Sequence, residues 1–124
     1  MPSTLSEPGT RTPPPALRAL CERLPGVTER LSHGEPAWFV GKRLFLTLAD
    51  HHDDDRVAFW AAAPEGAQEA LVRSYPERYF GPPYYGHRGW IGMWLDVPLD
   101  WDEAGDRVRE AHETIAKATR RPIG

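Results

Sequence analysis

The chain holds a single cysteine, Cys21, so no disulfide can form within it. That excludes a disulfide-stapled secreted scaffold and makes a reducing, cytoplasmic compartment the expectation. No stretch approaches the ~20 consecutive apolar residues of a membrane-spanning helix. Residues 1–15 also lack the apolar segment of a signal peptide. No membrane association is expected. Net positive charge is missing too: the formal charge is -3 and the pI about 5.9. A surface that is basic all over is thereby excluded; a local cationic patch is not. Walker-type and dinucleotide-binding glycine patterns are absent, as are G-x-S-x-G and the histidine spacing of zinc motifs. No catalytic signature is present, and no cofactor is expected.

What remains is enough for one domain. The length of 124 residues suits a single core. Residues 1–12, rich in Ser, Thr, Pro and Gly, read as a flexible tail, and residues 13–124 as the domain. Thr12 followed by Pro13-Pro14-Pro15 predicts a cap and first helical turn. Leu17, Leu20, Cys21 and Leu24 then recur at helical spacing, and Pro25-Gly26 ends the run. Cys21 lies on that apolar stripe and reads as a small buried hydrophobe, not a nucleophile.

Alternation then takes over. Val27–Ser32 predicts a strand, Ser32–Pro36 a turn, and Ala37–Val40 a second strand. Gly41-Lys42 fits a two-residue hairpin with glycine first. Arg43–Ala49 returns, with Leu44, Leu46 and Leu48 on one face and Phe45, Thr47 and Ala49 on the other. Asp50–Asp55 is a polar connection, and Arg56–Ala62 a further strand. A helix opens at Ala63-Pro64-Glu65 and stops before Pro76. Trp90–Val97 predicts the last strand. A long helix follows, with Asp100 as cap and Glu103 completing a capping box. The expectation is an α+β two-layer sandwich, an antiparallel sheet with the N- and C-terminal helices packed on one face.

Two stretches carry candidate chemistry. His51-His52 beside Asp53-Asp54-Asp55 has metal-ligand residue types, but adjacent histidines converge poorly on an ion, and a solvated turn is the expected reading. The run from Arg78 to Gly92 crowds aromatics, glycines, prolines and cations together without one acidic residue. Tyr79 and Phe80 read as packing residues, and Pro82-Pro83 as stiffeners of a crossover. Arg78, Tyr84, Tyr85, His87, Arg88 and Trp90 read as a surface where cations meet phosphate and rings stack on bases. Lys42 and Arg43, at a hairpin tip, join it if the fold brings the two loops together.

The order of motifs resembles the MmcQ/YjbR-like proteins. The resemblance rests on Leu24-Pro25-Gly26-Val27, on Ser32 to Val40, on Arg43-Leu44-Phe45, and on the run from Arg78 to Gly92. The helix start Asp100-Trp101-Asp102-Glu103 resembles the family as well, so the similarity spans Pro13 to Ala118. It implies a frataxin-like (CyaY-like) sandwich and DNA binding through a "double wing" of hairpins; it carries over no catalytic set. Frataxins present carboxylates along the first helix, where this chain has only Glu22, so iron binding is not implied. The leading expectation is a noncatalytic DNA-binding module. The alternative is a small-molecule- or protein-binding domain using an aromatic groove of Trp38, Trp60, Tyr85, Trp90 and Trp94. A third expectation, an enzyme, requires His33 or His87 in a cleft beside a carboxylate. Oligomeric state is not legible.

Overall fold

The computed structural model describes residues 14–50 and 56–120. The expected tail, the Thr12 cap and the His51–Asp55 cluster lie outside them. The elements in order are α1 (Pro15–Glu22), β1 (Val27–Ser32), β2 (Glu35–Val40), β3 (Arg43–Asp50), β4 (Val57–Ala61), α2 (Ala67–Ser74), β5 (Tyr79–Phe80), β6 (Ile91–Trp94) and α3 (Trp101–Arg120). A single-turn 3-10 helix, Gly86–Arg88, precedes β6. The strands form one six-stranded sheet in the order β1-β2-β3-β4-β6-β5, antiparallel throughout.

Local chemistry explains most boundaries. α1 starts with Pro15 at a first-turn position, where a missing N–H costs nothing, and its cap residue Pro14 makes no side-chain hydrogen bond. The β1–β2 turn is tighter than expected. Only His33 and Gly34 form it, at φ 54° and 82°, so both central residues are left-handed as a mirror-image hairpin turn requires. Glu35 and Pro36 therefore belong to β2, opposite Ser32 and Leu31. At the next turn Gly41 takes φ 60°, and Val40 pairs with Arg43. α2 begins at Ala67 after a left-handed Gly66, later than the expected opening at Ala63.

β3 does not alternate strictly. Trp38 pairs with Leu46, but Phe39 pairs with Leu44, so Phe45 is the extra residue of a bulge. Its ring faces the helices, edge-on to His112 of α3 with centroids 5.6 Å apart. The bulge puts Leu44 on the open face of the sheet, not with Leu46 and Leu48.

α1 and α3 cover one face. α1 packs on α3, and α3 lies across β3. Between them and the sheet are Leu17, Cys21, Trp38, Phe45, Phe59, Met93 and Val108, all fully buried; burying each large one stabilises the fold by roughly 1.5–3 kcal/mol. Burial, helped by Glu29 and Glu22, pushes the Cys21 thiol well above its ordinary range, so it is inert. Glu29 locks the α1 corner. It accepts from Arg18 at 2.8 and 3.0 Å and from the Trp38 indole at 3.2 Å.

The expected crossover at Tyr79-Phe80 is an edge strand. Tyr79 pairs with Met93 and Phe80 with Gly92. Tyr79 is buried on the helix side, where its hydroxyl donates to Glu103 of α3. Glu103 also holds Arg78. The expected capping box is thus half made: Asp100 Oδ1 accepts from the Asp102 N–H at 2.9 Å, while Glu103 reaches across to β5. β6 is shorter than expected because the chain bends after Leu95, whose N–H still reaches Val57 O at 2.8 Å. Asp96 then binds Arg56 at 2.8 and 2.9 Å and the Val57 N–H at 3.0 Å.

Candidate functional site

The open face of the sheet is covered at one end by the segment from Gly81 to Trp90. Gln68 on α2 anchors it, donating to Gly86 O at 2.9 Å and to Trp90 O. Gly86 N–H returns to Pro82 O at 2.8 Å. Within this arch Tyr85 N–H bonds Pro83 O at 2.7 Å, closing a three-residue turn centred on Tyr84 at φ 69°. A left-handed tyrosine is strained, and the turn is of the rare positive-φ kind. Tyr84 is 70% exposed.

The rings beneath form a packed ladder. Tyr85 stacks on Trp90 with centroids 4.6 Å apart and planes 22° from parallel. Trp60 on β4 lies 6.5 Å from Tyr84 and 6.2 Å from Tyr85. Tyr85 consequently separates two hollows. One, about 420 Å³, lies on the sheet face between the first hairpin and the arch, with His33, Glu35, Leu44, Trp60, Tyr84 and Tyr85 in its walls. The other, about 600 Å³, lies toward the end of α3, with Arg43, Leu44, Tyr85, Arg88, Trp90 and Ile115 in its walls. The first is mainly apolar; the second carries two guanidinium groups and no carboxylate among its lining residues.

The predicted site residues divide clearly. Arg43 of the hairpin and Arg88 of the arch meet at the second hollow, so the two loops do converge. Arg88 also lies over the Tyr85 ring at 5.8 Å. Lys42 is exposed at the hairpin tip next to Arg43, and His87 is exposed beside Arg88. Lys42, Arg43 and Arg88 make no ion pair with any described residue. Arg78 stands apart: it pairs with Glu103 and Glu77 and lies over Tyr75 at 4.4 Å. Trp90 is only 5% exposed, so it supports Tyr85 and presents no free face.

Of the alternative groove, Trp60 and Tyr85 do share the sheet-face hollow. Trp38 is on the helix side, and Trp94 is taken up by Phe80 on one side and the Arg56 guanidinium at 3.8 Å. Glu35, Leu44 and Thr47, which sequence reasoning does not single out, line the same hollow. The bulge that places Leu44 there leaves no trace in residue type alone. Glu35 reads as a turn residue because it precedes a proline. His33 does line a hollow with Glu35. Among the described residues no three His, Cys, Asp or Glu gather as a metal site, and no helix is long and apolar enough to cross a membrane.

The arch that builds these hollows is the Arg78–Gly92 run, and a family model named YjbR matches residues 22–114, which include it. The chain belongs to the YjbR family. No curated protein matches it. Among solved structures, the YjbR chain is similar to the Deinococcus radiodurans protein DR2400, described as a DUF419 domain. The two share 17% identity at a TM-score of 0.73 over 85% of this chain and 79% of that one. At that identity the likeness concerns the fold, an α+β sandwich with an open antiparallel sheet.

Proposed function

We propose that this YjbR domain is a noncatalytic nucleic-acid-binding module that holds backbone phosphate between Arg43 and Arg88. One observation carries the reading: these two guanidinium groups, from separate loops, line one hollow that has no lining carboxylate, although the whole chain is acidic. Two cations converging on one hollow without an acidic partner among the described residues favour an anionic ligand. Lys42 extends the cationic edge. Arg78, compensated by Glu103, is left out of this surface.

The alternative, a small-molecule site, is supported by the sheet-face hollow, whose volume falls in the ~300–1,000 Å³ range of ligand pockets and whose walls are mainly apolar, with Trp60, Tyr84 and Tyr85 among them. The cationic hollow beside it favours a ligand that also carries phosphate.

The test is binding of single- and double-stranded DNA to the whole chain at low and moderate salt. Affinity should fall as salt rises. The Arg43→Ala Arg88→Ala variant should flatten the log–log salt slope by about two, near one unit for each phosphate that is no longer neutralised. Absence of binding at low salt, or an unchanged slope in the variant, would overturn the assignment.

A further inference from the structure

We infer that the module takes its nucleic acid single-stranded, with one base lodged in the sheet-face hollow while its phosphate rests on Arg43 and Arg88; this rests on the nucleic-acid reading above. The two hollows are neighbours, with Leu44 and Tyr85 in the walls of both. A nucleotide that crosses Tyr85 can place its base in one and its phosphate in the other, and their chemistry differs. The hollow with Arg43 and Arg88 attracts phosphate. The hollow with Glu35 is mainly apolar and has no lysine or arginine among its lining residues to hold a phosphate.

What suits the Glu35 hollow is the neutral, planar end of a nucleotide. Tyr84 supplies an exposed ring for stacking, which every base accepts, with the buried Trp60 behind it. The Glu35 carboxylate is a pure acceptor, so it selects a base edge that offers donors. Cytosine presents an exocyclic amine; thymine presents only an N3–H flanked by two carbonyl oxygens that repel a carboxylate. Glu35 sits within this wall close to Asp50, whose N–H reaches Oε2 at 3.4 Å, so the carboxylate is held at a defined place.

Tyr84 gives independent support. Its backbone is held at φ 69° by the Tyr85–Pro83 hydrogen bond, and the residue, its ring next to Trp60, stays 70% exposed. A strained residue that displays an aromatic ring to solvent beside a hollow is a stacking platform. In a duplex the bases are already paired and stacked, and one reaches such a platform only by flipping out. A single strand offers its bases without that cost.

The experiment compares labelled strands of equal length by fluorescence anisotropy with the whole chain at low salt: oligo-dC, oligo-dT, an abasic strand and a duplex. Oligo-dC should bind roughly tenfold tighter than the abasic strand and the duplex, the scale of one base stacking on an aromatic ring. Oligo-dT should bind more weakly than oligo-dC, and Glu35→Gln should narrow that gap. Tyr84→Ala should bring oligo-dC down to the abasic strand while the salt dependence stays, and Tyr84→Phe should keep the preference. If the abasic strand and the duplex bind as tightly as oligo-dC, and Tyr84→Ala changes nothing, the base hollow is overturned and the phosphate groove stands. If no strand binds, both fall together.

Discussion

Phe80 lies flat on Trp94, ring centroids 4.2 Å apart and planes 27° from parallel, directly over the backbone of Gly92. Gly92 pairs with Phe80 across β5 and β6, and a Cβ there would sit inside the Phe80 ring. The glycine is needed for close approach, not for a special backbone angle. Gly92→Ala should push Phe80 off Trp94 and destabilise the domain by about 3 kcal/mol, the upper range for overpacking. Chemical denaturation measures the cost, and Gly92→Ala Phe80→Ala should recover part of it, since the two changes share one space.

Glu103 ties the long helix to the edge strand through Arg78 and Tyr79. Burial, reinforced by the hydrogen bond to Glu103 and its charge, raises the Tyr79 hydroxyl above its ordinary range, so it stays a neutral donor. Glu103→Ala strands that buried donor and should cost about 2 kcal/mol; Tyr79→Phe, which removes the donor itself, should cost about 1 kcal/mol. The double variant should cost less than the sum. Arg78→Ala should lower the melting temperature and leave the salt slope of DNA binding unchanged. A change in that slope would return Arg78 to the binding surface.

Asp96 is held down to about 2 by its hydrogen bonds from Arg56, with the Val57 N–H and the Arg56 charge adding to the effect against partial burial. A carboxyl depressed in the folded state stabilises it above the unfolded value and loses that contribution as pH falls through the folded value. The stability supplied by Asp96 is therefore complete above about pH 4 and lost toward pH 2. Asp96→Asn should melt below the wild type at about pH 5 to 7, and that gap should close on acidification to about pH 2. A gap that persists in acid would mean that the substitution acts through packing.

Tyr84 occupies a conformation that costs a tyrosine about 1–3 kcal/mol. The residue is mostly exposed, with its ring against Trp60 on one side, so packing offsets only part of that cost. Tyr84→Gly should stabilise the fold by about 1 kcal/mol, net of the glycine's extra freedom when unfolded. The same variant should bind single strands less tightly. Stability gained with binding weakened is what a strained binding residue produces; loss of both would make Tyr84 a folding residue.

The elements are largely legible along the chain because each announces itself locally. Gly41-Lys42 between apolar runs, Pro25-Gly26 after a helical stripe, and the Trp101, Ala104, Val108, Ala111 and Ile115 stripe all have a near-neighbour cause. Short, two-sided β5 escapes such reading because Tyr79-Phe80 offers no alternation to detect and depends wholly on β6 for pairing. Half of the expected capping box fails because Glu103 has the right local spacing and a better distant partner.

Residue types along the chain determined the family, the α+β class, the burial of Cys21 and the presence of a cationic, aromatic run from Arg78 to Gly92. Tertiary structure alone decided which of those residues share a surface. It drew Arg43 to Arg88, gave Arg78 to Glu103, buried Trp90 beneath Tyr85, and turned Leu44 outward through a bulge. The physical reason is range: turns, caps and periodicity act over a few residues, whereas charge compensation and ring stacking depend on partners the chain brings close only by folding.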